Sequence, residues 1–263
     1  MTMNVLMVGC GNMGGALLAQ WVTMDEVGFT VVSPSLRPAP APVVASAEAL
    51  SGQQFDAIVV AVKPQMIAEV MPDYRSLLTD GGAVISIAAA TTIDQLQAIF
   101  PGAAVVRMMP NLPSRIGRGM TGLVASANMT STQRRLAESL SAAAGDFVWV
   151  EDEERLDRLT AIAGCGSGYV FQMIESFEHA ARALGFTDDE ARLLVRQTMA
   201  GAAEMALSSA ESAESLKESV MSKGGVTRAG VAQMTADNVM DNLMLAVVNA
   251  AYDRAREMAA GNW

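Results

Sequence analysis

Short apolar runs alternate with segments of helical periodicity through the first part of the chain. The run at residues 5–8 precedes a glycine-rich turn, and the next apolar residues are spaced as on one face of a helix. Further strands are predicted at 29–33, 56–62, 83–88, 103–108, 121–125 and 146–150, helices at about 92–100 and 130–143, and a proline-rich loop over 34–47. This alternation indicates an α/β fold with a parallel, doubly wound sheet.

The pattern changes near residue 152, after which a period near 3.6 residues dominates and no strand is predicted. Candidate helices cover 152–163, 166–184, 188–208, 213–221, 227–235 and 238–260. We therefore predict a first domain at 1–152 and an all-α second domain at 153–263. Apolar residues cover more than one face of the last helix, which indicates either a central helix within its domain or burial in a dimer interface. The interface is the favoured interpretation.

Composition narrows the class of protein. Hydrophobic residues make up 51% of the chain, with 22 Gly and 19 Met, which suits closely packed helices. The net charge of −10 argues against a nucleic-acid partner. The first 24 residues carry no charge and lack the positive segment of a signal peptide, and glycines interrupt this stretch. We expect a soluble cytoplasmic protein with no membrane association.

Few side chains are suited to nucleophilic or metal chemistry. Cys10 and Cys165 lie far apart in the chain and form no paired motif, and His179 is the only histidine. We therefore expect no metal site and no Ser-His-Asp triad.

The turn at residues 9–14 carries the first chemical signal. Gly9, Gly11 and Gly14 follow a predicted strand and open a predicted helix, which is the context of a dinucleotide-binding fingerprint in a Rossmann-type domain. The first glycine permits the tight turn, the second lets the backbone approach a pyrophosphate, and the third lets the helix pack closely on the strand. The alternative is a purely structural glycine turn.

The end of the second strand bears on the choice of cofactor. An acidic residue there binds the ribose of NAD, whereas this chain has Ser33, Ser35 and Arg37 and no acid. Two hydroxyls and a guanidinium favour a 2′-phosphate, so NADPH is predicted, with NADH as the alternative. The opposing interpretation is that Arg37 is a solvated loop cation.

Three further stretches stand out. Residues 61–64 (AVKP) and 107–113 (RMMPNLP) follow predicted strands, at the edge where open α/β sheets bind ligands. Residues 216–227 (LKESVMSKGGVT) join two predicted helices of the second domain. Taken singly, the first two are also explained as strand-end turns and the third as a helix C-cap.

Together with the fingerprint, these stretches resemble the pyrroline-5-carboxylate reductase family, whose members reduce a cyclic imine to L-proline with NAD(P)H. The resemblance extends along essentially the whole chain and includes residues 156–171, which are similar to the family's entry into its helical domain. It implies a role in proline biosynthesis, a small-molecule substrate, and a helical dimerisation domain forming a homodimer or a ring of dimers.

Site residues are predicted on the fingerprint and this resemblance. The cofactor-binding set is Gly9, Gly11, Asn12, Met13, Gly14, Ser33, Ser35, Arg37, Ala61, Val62, Lys63, Pro64 and Asn111. The substrate-binding set is Gly224, Gly225, Val226 and Thr227, with Thr227 and Ser222 as the catalytic pair. Because a protonated imine accepts hydride readily, the protein mainly positions the two reactants and needs no strong general acid.

The chain departs from the family pattern in three places. Lys223 replaces the proline of the Ser-Pro-Gly-Gly loop, residues 163–168 read AGCGSG where the family has Ser-Gly-Ser-Gly-Pro-Ala, and Ser46 stands near the family's adenosine-side asparagine. These departures keep open a reductase of another cyclic imine and an inactive NADPH-binding regulator. A β-hydroxyacid dehydrogenase is disfavoured, because the helix after Gly166 lacks the lysine that this chemistry needs.

Overall fold

The computed structural model describes residues 2–259. The described chain forms two compact units, one of residues 2–167 with 251–259 and the other of residues 168–250. The strands of the described chain all belong to the first unit, and the second consists of helices and their connections.

An eight-stranded sheet forms the centre of the first unit. Its strands are β1 (Met3–Val8), β2 (Val27–Val32), β3 (Val43–Val44), β4 (Phe55–Val60), β5 (Leu78–Ser86), β6 (Ala104–Met109), β7 (Gly119–Ala125) and β8 (Gly145–Trp149). The strand order is β3-β2-β1-β4-β5-β6-β7-β8. The α/β class predicted from the alternating pattern is confirmed, and the short strand β3 lies within the segment predicted to be only a loop.

The sheet is not wholly parallel, so that expectation is wrong at one place. Strand β7 runs antiparallel to β6, while β8 is parallel to β7. The connection at 110–118 contains a 3-10 segment, Leu112–Ile116, followed by Gly117 at φ +68°. A parallel return needs a crossover of a dozen or more residues, and this short reversal does not provide one.

Ten α-helices accompany the strands within residues 2–259. In the first unit they are α1 (Asn12–Trp21), α2 (Ile67–Val70), α3 (Ile93–Ile99), α4 (Ser131–Ala144) and α5 (Glu153–Leu159). A π-helical turn, Thr160–Gly164, then leads into α6 (Cys165–Ala183), which is followed by α7 (Asp188–Ser208), α8 (Ala213–Ser219), α9 (Val226–Thr235) and α10 (Val239–Ala259). The predicted helices are thus confirmed, with the π turn inside the first predicted helix of the second domain.

Hydrophobic clusters cover both faces of the sheet. Val5, Met7 and Val59 face one cluster, whereas Leu6 and Ile58 face the other, as the two-residue period of a strand requires. On the first face the Trp21 indole N–H donates to the Leu140 carbonyl at 2.7 Å and so joins α1 to α4. Burial on both faces explains why these strands are continuously apolar.

The second unit leaves large apolar side chains uncovered. Its buried apolar residues are Ala181, Ala191 and Val195, which pack α6 against α7. Large apolar side chains that are more than half exposed include Phe171 on α6, Leu193, Met205 and Leu207 on α7, and Leu243 and Leu245 on α10. Apolar surface of this extent is typical of an interface with another chain. No helix within residues 2–259 is both apolar and long enough to cross a bilayer.

A buried cation anchors α5 to the sheet. The Arg107 guanidinium at the end of β6 lies 2.7 Å from a Glu153 carboxylate oxygen and 3.6 Å from one of Asp157. Glu153 also accepts the Ile93 backbone N–H at 3.0 Å. Burial raises the pKa of Asp157, and the nearby Arg107 acts in the opposite direction. Arg107 therefore joins β6 to α5, and its partner Glu153 joins α5 to the first turn of α3.

Replacing this cation tests its contribution to stability. We expect Arg107→Met to lower the free energy of unfolding by about 2 kcal/mol, less than for fully buried pairs because Glu153 is partly exposed. The loss should be larger at about pH 7 than at about pH 5, because without Arg107 the Asp157 pKa rises further and its charged form then disfavours folding. Urea unfolding at both pH values measures this.

The matched control is Arg155→Met on the same helix. Arg155 pairs with Glu151 across 3.1 Å, but both side chains are mostly exposed. Exposed pairs contribute at most about 1 kcal/mol. Equal losses for the two variants would contradict a special contribution from Arg107.

Candidate functional site

The turn after β1 lies against the end of β4. Gly9 has φ +92°, and a β-carbon there would lie 2.8 Å from the Ala61 carbonyl oxygen. The Gly9 N–H donates to the Val32 carbonyl at 3.0 Å, and the Ala61 N–H donates to that of Val8 at 2.9 Å. Backbone therefore packs on backbone at this point, and both the positive φ and the close approach require glycine.

Helix α1 begins directly after this turn. A β-carbon on Gly14 would lie 2.6 Å from Cε of Met7 and 3.4 Å from Cβ of Ala61, so this glycine permits close packing of the helix on the strands. A β-carbon on Gly11 would meet no atom within 4 Å, and this N-cap residue offers no capping side chain. The N-terminus of α1 thus has space beside Gly11 and N–H groups without intrahelical acceptors.

The other predicted residues of this turn occupy different environments. Asn12 is exposed and Met13 is half-buried in the first turn of α1. Burial raises the pKa of the Cys10 thiol, which keeps it protonated at neutral pH. Cys10 also packs against the hydrophobic cluster on one face of the sheet.

The segment after β2 forms a tight turn. The Leu36 N–H donates to the Ser33 carbonyl at 2.8 Å, and Leu36 has φ +46°. This turn brings the Ser33 and Ser35 hydroxyl oxygens to 3.4 Å from each other. Ser33 is buried, whereas Ser35 and Arg37 are exposed. Two neighbouring hydroxyls and a nearby cation suit an anionic group.

The end of β4 completes this edge of the sheet. Strand β1 lies between β2 and β4, so the chain leaves β1 first to one side and then to the other. Ligands of open α/β sheets bind at such a switch point, beyond the carboxyl ends of the strands. Ala61 and Val62 are half-buried here, Lys63 is exposed, and Pro64 begins a 3-10 segment. Ala61 and Val62 thus lie beside the Gly9 turn, and Lys63 and Pro64 follow them in the chain.

Sequence reasoning missed the segment after β5 at the same edge. Ala90 has φ +56°, a conformation that costs a residue with a β-carbon about 1–2 kcal/mol. The Ser86 hydroxyl accepts the Ala88 N–H at 3.3 Å. Strained backbone at a ligand-binding edge is a functional signal. In the sequence this run is three alanines, with no glycine to mark it.

Asn111 is held by the protein itself. Its Nδ2 donates to the Ala163 carbonyl at 3.0 Å, and its Oδ1 accepts the Met120 N–H at 2.9 Å. Ala163 lies in the π-helical turn, a distortion that is frequent at functional sites. The structure thus gives Asn111 a bracing position between β7 and this turn, and its contact with a cofactor stays a prediction.

The predicted substrate segment lies in the second unit, before α9. Gly224 has φ +72°, and the Gly225 N–H donates to the Ser222 carbonyl at 3.1 Å. A β-carbon on Gly225 would collide with the Ser222 hydroxyl. Val226 and Thr227 are exposed in the first turn of α9, whose N-cap has no side chain. Hydroxyls and unpaired N–H groups at a helix N-terminus suit a carboxylate.

Arg228 is a residue of this segment that sequence reasoning missed. Its guanidinium donates to the carbonyl oxygens of Ser222 and Met221. The sequence signal that could have identified Arg228 is its position directly after the predicted site residue Thr227. No group of three or more His, Cys, Asp or Glu within residues 2–259 is arranged to hold a metal ion.

Two family models match different parts of the chain. Residues 153–258 match the family model described as pyrroline-5-carboxylate reductase dimerisation. Residues 4–90 match the model described as NADP oxidoreductase, coenzyme F420-dependent. The first match covers the helices with exposed apolar faces, so these faces are those of an oligomerising domain.

Similar proteins extend the comparison to the full length. The pyrroline-5-carboxylate reductase of Haemophilus influenzae is 37% identical over 210 residues, which are 79% of this chain and 77% of that protein. That of Pseudomonas aeruginosa is 32% identical across 98% of this chain and 97% of its own. The crystal structure of Plasmodium falciparum pyrroline carboxylate reductase with NADP bound has a TM-score of 0.88 at 27% identity, covering 98% of both chains. The chain belongs to the pyrroline-5-carboxylate reductase family.

Proposed function

We propose that this chain reduces 1-pyrroline-5-carboxylate to L-proline with NADPH as the hydride donor. The observation that carries the proposal is the extent of the likeness: 98% of the chain aligns with a reductase of that name. The fingerprint turn, the Ser33–Arg37 turn and the Ser222–Thr227 segment all lie within the length that aligns.

The residues at the first unit's edge fit a phosphorylated dinucleotide. The pyrophosphate would lie at the N-terminus of α1, where the space beside Gly11 admits it. Ser33, Ser35 and Arg37 would hold the 2′-phosphate, and the segment from Ser33 to Arg37 contains no carboxylate to repel it. Bound there, NADPH supplies the hydride. The solved relative from Plasmodium falciparum carries NADP, which supports this choice over NADH.

The second unit supplies the groups for the substrate. The first-turn N–H groups of α9 and the Ser222 hydroxyl would bind the carboxylate. Thr227, exposed in the same turn, would donate to the carboxylate or contact the ring nitrogen. Hydride adds to the protonated C=N carbon, the π electrons become the nitrogen lone pair, and a neutral amine results. Because the imine arrives protonated, these side chains only bind and orient it.

The proposal also includes the oligomeric assembly of the chain, the limits of its helical domain and its location in the cell. We propose a homodimer formed through the helical domain at 153–263, with a ring of dimers as the larger form. The exposed apolar residues of α7 and α10 support an interface of this kind. The cytoplasmic location is proposed from the biosynthetic role alone.

Direct assay tests the activity. We expect the purified chain to oxidise NADPH when pyrroline-5-carboxylate is added, and to do so faster than with its six-membered homologue. Lys223 in place of the family proline makes the homologue the relevant comparison. Faster turnover of the homologue would assign the chain to another cyclic imine. NADPH binding without turnover of either would contradict a reductase.

Cofactor preference tests the role of Arg37. We expect Arg37→Ala to raise the KM for NADPH about tenfold and to leave the KM for NADH unchanged, because only NADPH carries the 2′-phosphate. Steady-state kinetics with each cofactor measure this. Arg75→Ala removes another exposed arginine of the same unit and serves as control. An equal effect on both cofactors would contradict a 2′-phosphate contact.

A third test concerns the Thr227 hydroxyl. We expect Thr227→Ala to lower kcat/KM for pyrroline-5-carboxylate at least tenfold, about 1.4 kcal/mol. Thr227→Ser keeps the hydroxyl and should retain most of the activity. Unchanged kinetics in Thr227→Ala would remove this residue from the site.

A further inference from the structure

One arginine fixes two consecutive peptide groups of the segment before α9. Arg228 Nε donates to the Ser222 carbonyl at 3.2 Å, and Nη2 donates to the Met221 carbonyl at 3.1 Å. The planar guanidinium presents its N–H groups in a fixed fork. Two bonds from such a fork determine the orientation of both carbonyls.

The Ser222 carbonyl is the centre of the turn that leads into the helix. It accepts the Gly225 N–H at 3.1 Å as well as Arg228 Nε at 3.2 Å. Gly224 between them has a positive φ, so the chain reverses within few residues. Rotation of this carbonyl would therefore shift the Ser222 hydroxyl and the entry into α9 together.

The position of Arg228 in the helix is electrostatically unfavourable. Arg228 is the third residue of α9, close to the positive end of the helix dipole, where a cation is disfavoured. Its two bonds go to carbonyl oxygens, which do not neutralise its charge. A guanidinium has five N–H donors, and these bonds use two of them. The charge thus adds to the field that attracts an anion to this helix terminus.

Arg228 also restricts the peptide bond that precedes Lys223. A proline at position 223 would fix its own φ. Lysine imposes no such restriction. The Ser222 carbonyl belongs to the peptide bond between residues 222 and 223. Arg228 restricts this peptide group through a hydrogen bond, whereas a proline would restrict the same part of the backbone through its ring.

We propose that Arg228 is a positioning residue for the substrate carboxylate. It holds Met221–Gly225 in the conformation that presents the Ser222 hydroxyl and the first-turn N–H groups of α9. This inference rests on the proposed function, in which that segment binds the substrate.

Kinetics of two variants test the inference. We expect Arg228→Met to raise the KM for pyrroline-5-carboxylate about tenfold with little change in kcat, because binding of the carboxylate is lost equally from ground and transition states. Arg228→Lys keeps the charge but not the fork, so its KM should also rise at least about fivefold. The KM for NADPH should stay unchanged in both.

A rescue distinguishes positioning from charge. Adding Lys223→Pro to Arg228→Met should return the KM to within about threefold of wild type, because proline restores the restriction without a cation. Hydrogen exchange of the segment should be faster in Arg228→Met than in wild type and slower again in the double variant. This readout needs no substrate.

A control variant and the contradicting outcomes distinguish failure of this inference from failure of the proposed function. Arg135→Met, on the exposed face of α4, should leave the kinetics unchanged. A wild-type KM in Arg228→Met would overturn the inference, and so would a wild-type KM in Arg228→Lys, which would leave charge as the only role. Absence of turnover by the wild-type chain would contradict the proposed function instead.

Discussion

The contact between the Gly9 turn and the Ala61 carbonyl is the constraint on which the cofactor edge depends. At this point β1 and β4 end side by side, and only a residue without a β-carbon lets the chain turn between them. The turn directs the N-terminus of α1 toward the open space beside Gly11. The same adjacency brings residues 61–64 to that edge. One backbone contact thus determines both the direction of the helix and the place of the strand end.

Arg107, near the carboxyl end of β6, has a corresponding role for helix α5. A buried guanidinium is costly unless carboxylates surround it, and here both come from α5. Fixing α5 also fixes the start of the π-helical turn, whose Ala163 carbonyl accepts from Asn111. Charged and amide side chains near the end of β6 therefore control the geometry of residues 153–164. The hydrophobic clusters alone, which are not directional, would not do so.

Most elements of the fold were predictable, whereas the short strand β3 and several directions and contacts were not. Continuous apolar runs predicted the strands, and periodicity predicted the helices. The reversed direction of β7 was not predicted, because an apolar strand reads the same in either direction. The left-handed backbone of Ala90 and the partners of Arg228 depend on tertiary contacts that no local pattern encodes. Motif residues were found more readily than the residues that hold motifs in place.

The sparse interior of the helical unit has a consequence for how this protein behaves in dilute solution. Ala181, Ala191 and Val195 are small, and their burial gives little free energy to offset the entropy of ordering about eighty residues. For an oligomerising domain the missing burial comes from another copy, so folding and association become a single equilibrium. The midpoint of thermal unfolding then becomes a function of protein concentration rather than a constant of the sequence.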